Sequence, residues 1–445
     1  MSKSKVSKSH SSLHNSPEEG GVCGLSAVQD RPLGRAGKRS VRFVSAKVQA
    51  RLQEPRQGEV QRLPVQIAFA LDRSGSMIGS KLRLAKQALC EALRQLQPTD
   101  TFAVAWFDSE VELVAPAQLA TPEAVRRVTA LCELVETGSS TALFAGWHTA
   151  FAALLPNLDP RAVARVLLLT DGQANAGPHS VAELVPAAQK MRIAGVCTSA
   201  IGVGEDFNEE LLSALVAAGD GRFYYAAKPE QIIGFVTAEL GEAKEVVARK
   251  VELRLRPCAG MKVELIGSLA NQWNGQELCV LLGDLVSDQE TEVAVRVVLP
   301  VGAVGDEFTL ELSAFEGGEP ALLPVQVCAW TMASHALNDA QAREVAVDRL
   351  VARQFAAQAR MKAIGCNRRH EFAEATAQRV KSAAHIAGYA GQDAELLALV
   401  AELKREAAEL AHRVDESRRK EMYTDSSHLS RSKRGDGTST RTRSH

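Results

Sequence analysis

Asp72-Arg73-Ser74-Gly75-Ser76 places one carboxylate and two hydroxyls within five residues. Donors that are all oxygen suit a hard divalent cation, Mg²⁺ or Mn²⁺, rather than the softer metals that Cys and His select. Two later stretches hold donors of the same kind. Thr141 closes the hydroxyl-rich run Thr137-Gly138-Ser139-Ser140-Thr141, and Asp171 opens Asp171-Gly172-Gln173. Taken alone, D-x-S-x-S equally describes a solvated loop whose Asp and Ser cap the next helix.

Other chemistries find less support. A phosphatase working through an aspartyl-phosphate wants a second carboxylate two positions after the strand-end Asp, where Ser74 stands. A serine hydrolase wants a Gly-x-Ser-x-Gly elbow and a partnered His, but Ser74 and Ile78 flank Ser76 at those positions. His148 and His179 lie near these stretches in sequence and are expected to be ordinary surface or filling residues. A shell rich in hydroxyls and poor in carboxylates is badly suited to generating a water nucleophile. The eight cysteines are scattered without a C-x-x-C and the ten histidines do not cluster. A zinc or disulfide framework is therefore not expected, and the thiols read as reduced residues of a cytoplasmic protein.

The elements that must position these donors are legible in the apolar pattern. Val65-Gln66-Ile67-Ala68-Phe69-Ala70-Leu71 is a buried strand running into Asp72, and Leu82, Ala85, Leu89, Leu93 and Leu96 recur at helical spacing after Gly79. Val163-Ala164-Arg165-Val166-Leu167-Leu168-Leu169-Thr170 is a second buried strand, running into Asp171. Further strands are predicted at 101–107, 110–114, 196–203 and 222–226, the first two as an antiparallel edge hairpin. Helices are predicted from Pro122 and at 143–155, 180–194, 208–218 and 229–240. This alternation makes a doubly wound, largely parallel sheet of Rossmann-like α/β class, with ligands at the carboxyl ends of its strands.

After residue 245 the period changes to strict alternation, as in Val251, Leu253 and Leu255 or Val293, Val295, Val297 and Leu299. Such a pattern belongs to an antiparallel β-sandwich. An isolated strand at 40–53, whose apolar phase shifts as if bulged after Phe43, is predicted to join that sandwich, so that the α/β domain is an insertion within it. The expected organisation is a disordered lead-in at 1–39, a sandwich at 40–58 plus 243–331, the inserted domain at 60–242, a helical hairpin or small bundle at 332–418, and a disordered basic tail at 419–445.

The ordered set D-x-S-x-S, Thr141 and strand-Thr170-Asp171-Gly172 resembles the metal-ion-dependent adhesion site (MIDAS) of the von Willebrand factor A (VWA) family. Similar insertions occur in bacterial proteins of that family and, more distantly, in inter-α-trypsin-inhibitor-like and chloride-channel-accessory relatives. The resemblance implies that Asp72, Ser74, Ser76 and Thr141 ligate Mg²⁺ or Mn²⁺, with Asp171 acting through water. It also implies a protein partner that completes the coordination with an Asp or Glu. Ser139-Ser140 stand where relatives of this kind often carry Gly-Gly.

Both ends of the chain are basic and the body between them is acidic. Basic ends could bind nucleic acid, yet no aromatic residues interleave with the charges, and solvated tails are expected instead. No apolar run is long enough to span a bilayer. The expectation is a cytoplasmic, non-enzymatic adaptor with no small-molecule substrate. A metal-dependent hydrolase and a scaffold acting through its basic tails are the alternatives.

Overall fold

The computed structural model describes residues 21–51 and 63–430. Three strands come first: β1 (Gly21–Gln29), β2 (Leu33–Arg35) and β3 (Ser40–Arg51). The α/β domain follows as β4 (Val65–Asp72), α1 (Ser80–Arg94), β5 (Thr101–Phe107), β6 (Val111–Leu119), α2 (Pro122–Glu133), α3 (Leu143–Leu154), β7 (Val163–Thr170), α4 (Val181–Ile193), β8 (Val196–Val203), α5 (Glu209–Ala218), β9 (Asp220–Ala226) and α6 (Gln231–Glu245).

Its sheet has the order β6-β5-β4-β7-β8-β9, with all pairings parallel except β5 with β6. Every residue of β4 is buried because both faces are covered. Val65, Ile67, Phe69 and Leu71 pack toward α1 and α6, while Ala68 and Ala70 face α3. The small side chains on the second face let α3 come close; a Cβ on Gly146 would overlap the Phe107 ring. Strand order diverges on either side of β4, so a crevice opens where its carboxyl end meets that of β7. The edge strand β6 runs to Leu119, beyond the predicted 114, and tolerates Pro116 because an edge residue need not donate to the ladder on both sides.

The chain re-enters the sandwich through β10 (Val246–Pro257), β11 (Lys262–Ile266), β12 (Asn271–Trp273), β13 (Leu278–Val286), β14 (Glu290–Leu299), β15 (Glu307–Glu316), β16 (Glu319–Pro320) and β17 (Gln326–Ala333). One sheet is β1-β3-β14-β11; the other is β12-β13-β10-β15-β17-β2, with β16 beside β15. Val44, Ala46 and Val48 of β3 meet Leu253, Leu255, Leu310 and Trp330 across the interface. The strand at residue 40 does join this sandwich: it pairs antiparallel with β14 in continuous register, from Ser40 opposite Leu299 to Gln49 opposite Glu290.

Two expectations need correction here. The phase shift after Phe43 is not a bulge in β3. Phe43 lies on the outer face, which a helix covers, so both faces of the strand carry apolar residues. The lead-in expected at 1–39 is ordered from Gly21, since β1 pairs with β3 from Gly21 opposite Arg51 to Gln29 opposite Val44. Its small residues and Gly24 hid the alternation; residues 1–20 and 52–62 lie outside the described set.

The C-terminal part consists of α7 (His335–Ala340), α8 (Val345–Arg368), α9 (Phe372–Ala390), α10 (Ala394–Glu409) and α11 (Glu416–Ser430). α8 lies on the outer face of the first sheet, where Phe355 meets Phe43 edge-on at 6.2 Å and Val347, Leu350 and Val351 cover Ile266 and Ala294. α9 and α10 complete a small bundle through Ile386, Leu396, Val400 and Leu403. The tail expected from residue 419 is helical as far as Ser430, and residues 431–445 lie outside the described set. α11 has no apolar stripe to announce it. It is held by polar contacts: buried Lys420 reaches Glu209 at 3.0 Å and the Phe207 carbonyl at 2.6 Å, and Ser427 bonds Ser213 at 3.1 Å. The Thr424 and Ser426 hydroxyls bond back to the carbonyls four residues earlier, which allows them to be buried.

Candidate metal centre

β4 delivers Asp72 and β7 delivers Asp171 to the same crevice, and both carboxylates are shut off from solvent. A short 3-10 turn, Gly75–Met77, follows Asp72. Asp72 Oδ1 accepts the Ser74 backbone N–H at 2.8 Å and Oδ2 accepts the Thr170 hydroxyl at 2.5 Å. The Ser74 and Ser76 hydroxyls are 3.2 Å apart, and Ser76 Oγ donates to Asp171 Oδ1 at 2.6 Å. The other Asp171 oxygen is paired with Lys81.

Thr141 reaches this group from the loop before α3. Its N–H donates to Asn175 Oδ1 at 2.8 Å, and its carbonyl accepts from the N–H groups of Asn175 and Ala176. The Gly138 N–H donates to the Arg73 carbonyl at 2.7 Å and the Gly75 N–H to the Ser139 carbonyl at 3.0 Å, zipping the two loops together. Gly172 closes the ring: a Cβ there would sit 3.3 Å from Thr141 Oγ1 and 3.5 Å from Ser76 Oγ. All five residues singled out in the sequence therefore lie on three adjoining loops at one end of the sheet.

The sequence assigns no role to Lys81 or Asn175, and it marks Thr170 only as the residue before Asp171. Lys81 did leave a signal, because a cation in the first turn of a helix opposes the positive end of its dipole, and α1 has no acidic residue there. Asn175, and the bond from Thr170 to Asp72, become visible only once the fold brings them in. His148 packs tilted against Phe144 and edge-on to Phe151, and His179 Nδ1 lies 2.9 Å from the Gly177 carbonyl; neither is bonded to Ser74 or Ser76.

Burial pushes the Asp72 carboxyl up to about 6, and Asp171 adds to this, against the bonds from Thr170 and Ser74 that pull it down. Two carboxylates enclosed together make a site short of positive charge. Two carboxylates and three neutral hydroxyls are the donor set that a hard, six-coordinate cation takes, so these residues fit Mg²⁺ or Mn²⁺. Among the described residues no group of three or more His, Cys, Asp or Glu gathers as a metal-binding cluster.

Comparison with known proteins gives the domain its family. Residues 66–238 match the model of the von Willebrand factor type A domain. An uncharacterized protein of Synechocystis sp. is 25% identical over 256 residues, 54% of this chain and 58% of that protein. Inter-alpha-trypsin inhibitor heavy chain H4 of Homo sapiens is 27% identical over 168 residues, 36% of this chain and 18% of that one. The chain thus spans little more than half the length of the first of these relatives and a small part of the second. A solved structure described as von Willebrand factor type A from Catenulispora acidiphila shares the fold across 93% of this chain and 98% of its own, with a TM-score of 0.71 at 17% identity. Residues 66–238, with the crevice that gathers Asp72, Ser74, Ser76, Thr141 and Asp171, form a von Willebrand factor type A domain within a longer chain.

Proposed function

We propose that this domain is a protein-binding module in which Asp72, Ser74, Ser76 and Thr141 hold Mg²⁺ or Mn²⁺, with Asp171 adjacent, and that a partner protein supplies an Asp or Glu to the ion. The observation that carries this reading is the Ser76 hydroxyl, which links Ser74 to Asp171 and so ties the donors of β4 to those of β7. When bound, the ion supplies a positive centre at which a partner carboxylate can complete the coordination. The chain's own residues do the rest. Asp72 is oriented by Thr170 and Ser74, and Thr141 is fixed by Asn175.

The role is that of a non-enzymatic adaptor. Eight free thiols support a reducing, cytoplasmic setting, and no helix among the described residues is long and apolar enough to cross a membrane. Calorimetric titration with Mg²⁺ tests the site: heat of binding in the wild type that vanishes in Asp72→Ala is expected. Capture of a protein partner should be abolished by EDTA and by the same substitution. Hydrolysis of phosphoesters or peptides that disappears in Asp72→Ala would overturn the adaptor reading.

A further inference from the structure

Asp171 differs from Asp72 in one respect: it already has a cation. Lys81, in the first turn of α1, places its ammonium on Asp171 Oδ2 while Ser76 donates to Oδ1, so both carboxylate oxygens are engaged. The Asp171 side chain is fully enclosed and that of Lys81 is 24% exposed. Gly204, just beyond the end of β8 and at a positive φ of 74°, lies beside the ammonium: a Cβ there would stand 3.6 Å from Lys81 Nζ, in ordinary contact. Lys81 gains nothing from its own helix, whose dipole disfavours a cation at that end. The interaction with Asp171 accounts for its position.

We propose that Lys81 is the resident counter-ion of this centre, a positioning residue that reserves Asp171 for the Ser76 hydroxyl and so limits metal affinity while preserving the charge of the bound ion. The inference rests on the metal-site reading above. Two carboxylates and a divalent ion would sum to zero; with Lys81 the loaded centre carries a net positive charge, and an acidic side chain from a partner is attracted to it. Without a metal, Lys81 spares the crevice two uncompensated carboxylates. The partner chemistry that follows is a carboxylate, and the metal chemistry is weak, exchangeable binding.

Calorimetric titration of Mg²⁺ into the full chain tests this, using the wild type, Lys81→Met and Lys81→Arg, with melting temperatures in EDTA and in saturating Mg²⁺. Removal of the ammonium should tighten Mg²⁺ binding on the order of tenfold, as expected when a unit charge is taken from the neighbourhood of a divalent ion. The Met variant should melt lower than wild type in EDTA and level with it in Mg²⁺, which also shows that it folds. Arginine keeps the charge and should return the affinity toward the wild-type value. Unchanged or weaker Mg²⁺ binding by Lys81→Met, with wild type binding normally, would overturn the role of Lys81 alone. A wild type that binds no Mg²⁺ would overturn the metal site and this inference with it.

Discussion

Ser76 Oγ donates to Asp171 Oδ1 at 2.6 Å, joining the loop after β4 to the end of β7 across 95 positions of sequence. Ser76 is itself exposed, so Ser76→Ala should leave the fold untouched. Loss of a hydroxyl that both donates to Asp171 and faces Ser74 is expected to weaken Mg²⁺ binding by about 10–100-fold, the range seen when groups supporting a metal site are removed. Titration calorimetry beside a melting curve in EDTA checks it; an equal affinity would remove Ser76 from the site.

Gly146 lets α3 lie against β5, and α3 carries the Thr141 loop at its start. The overlap of an added Cβ with the Phe107 ring would push the helix outward. Gly146→Ala should cost about 1–3 kcal/mol as an overpacked core position. It should also lower Mg²⁺ affinity although it touches no metal donor. Denaturant unfolding and calorimetry on the same sample test both effects.

Glu209 anchors α11. Lys420 lies 3.0 Å from it, Arg419 3.3 Å and Arg368 3.7 Å. Burial would raise the Glu209 carboxyl, but the Lys420 charge and hydrogen bond outweigh it and hold the group below its ordinary 4.5. Burial also lowers the Lys420 ammonium; the stabilising direction is that of Glu209, on which three cations converge. A carboxyl held low in the folded state binds fewer protons there than in the unfolded chain. Its contribution is complete above pH 4.5 and lost as pH falls through the folded value below that. Glu209→Gln should cost about 3 kcal/mol at neutral pH, the lower end for a broken buried pair, because Lys420 keeps the Phe207 carbonyl and the more distant Glu416 carboxylate at 3.7 Å. The difference between wild type and variant should shrink as pH falls below 4.5, read from urea unfolding across that interval.

Phe355 is the edge-on partner of Phe43 and joins α8 to the sandwich. Both rings are only partly buried, so Phe355→Ala should cost about 2–3 kcal/mol, at or below the lower end for an enclosed Phe. Hydrogen exchange should quicken in α8 while the amides of β4 and β7 keep their protection. Equal acceleration in β4 would mean that the helical part and the inserted domain open as one unit.

The α/β domain is readable because burial on both faces leaves continuous apolar strands, as in Val65 to Leu71, and two of them, β4 and β7, lead into donors. The five candidate residues can be named because three of them fall within D-x-S-x-S and the other two follow in the order that the resemblance implies. Lys81 and Asn175 could not be assigned roles, since their partners lie on other loops and only the sheet order brings them near. α11 failed for a different reason: Lys420, Ser426 and Ser427 are buried through hydrogen bonds rather than apolar contact, and hydrophobic periodicity does not register such a helix. In β3 the pattern was visible but misread, because Phe43 and Val44 serve two different interfaces.

Glu245 ends α6 and Val246 begins β10 with no residue between them, while β3 pairs with β14 across the whole inserted domain. The sandwich therefore cannot be completed until the chain has closed a very large loop, and that closure is entropically costly while the intervening residues are unfolded. Contacts within successive strand–helix–strand units form sooner than pairing over such a separation. Once condensed, the inserted domain draws its own two ends toward the sandwich and converts a long loop into a short one. Refolding should then show an early phase in the α/β domain and a later one in the sandwich. During synthesis β3 can pair with β1, but the apolar face of Val44, Ala46 and Val48 has nothing to cover it until the strands after residue 245 have been made; that interval is when this chain is most exposed to aggregation.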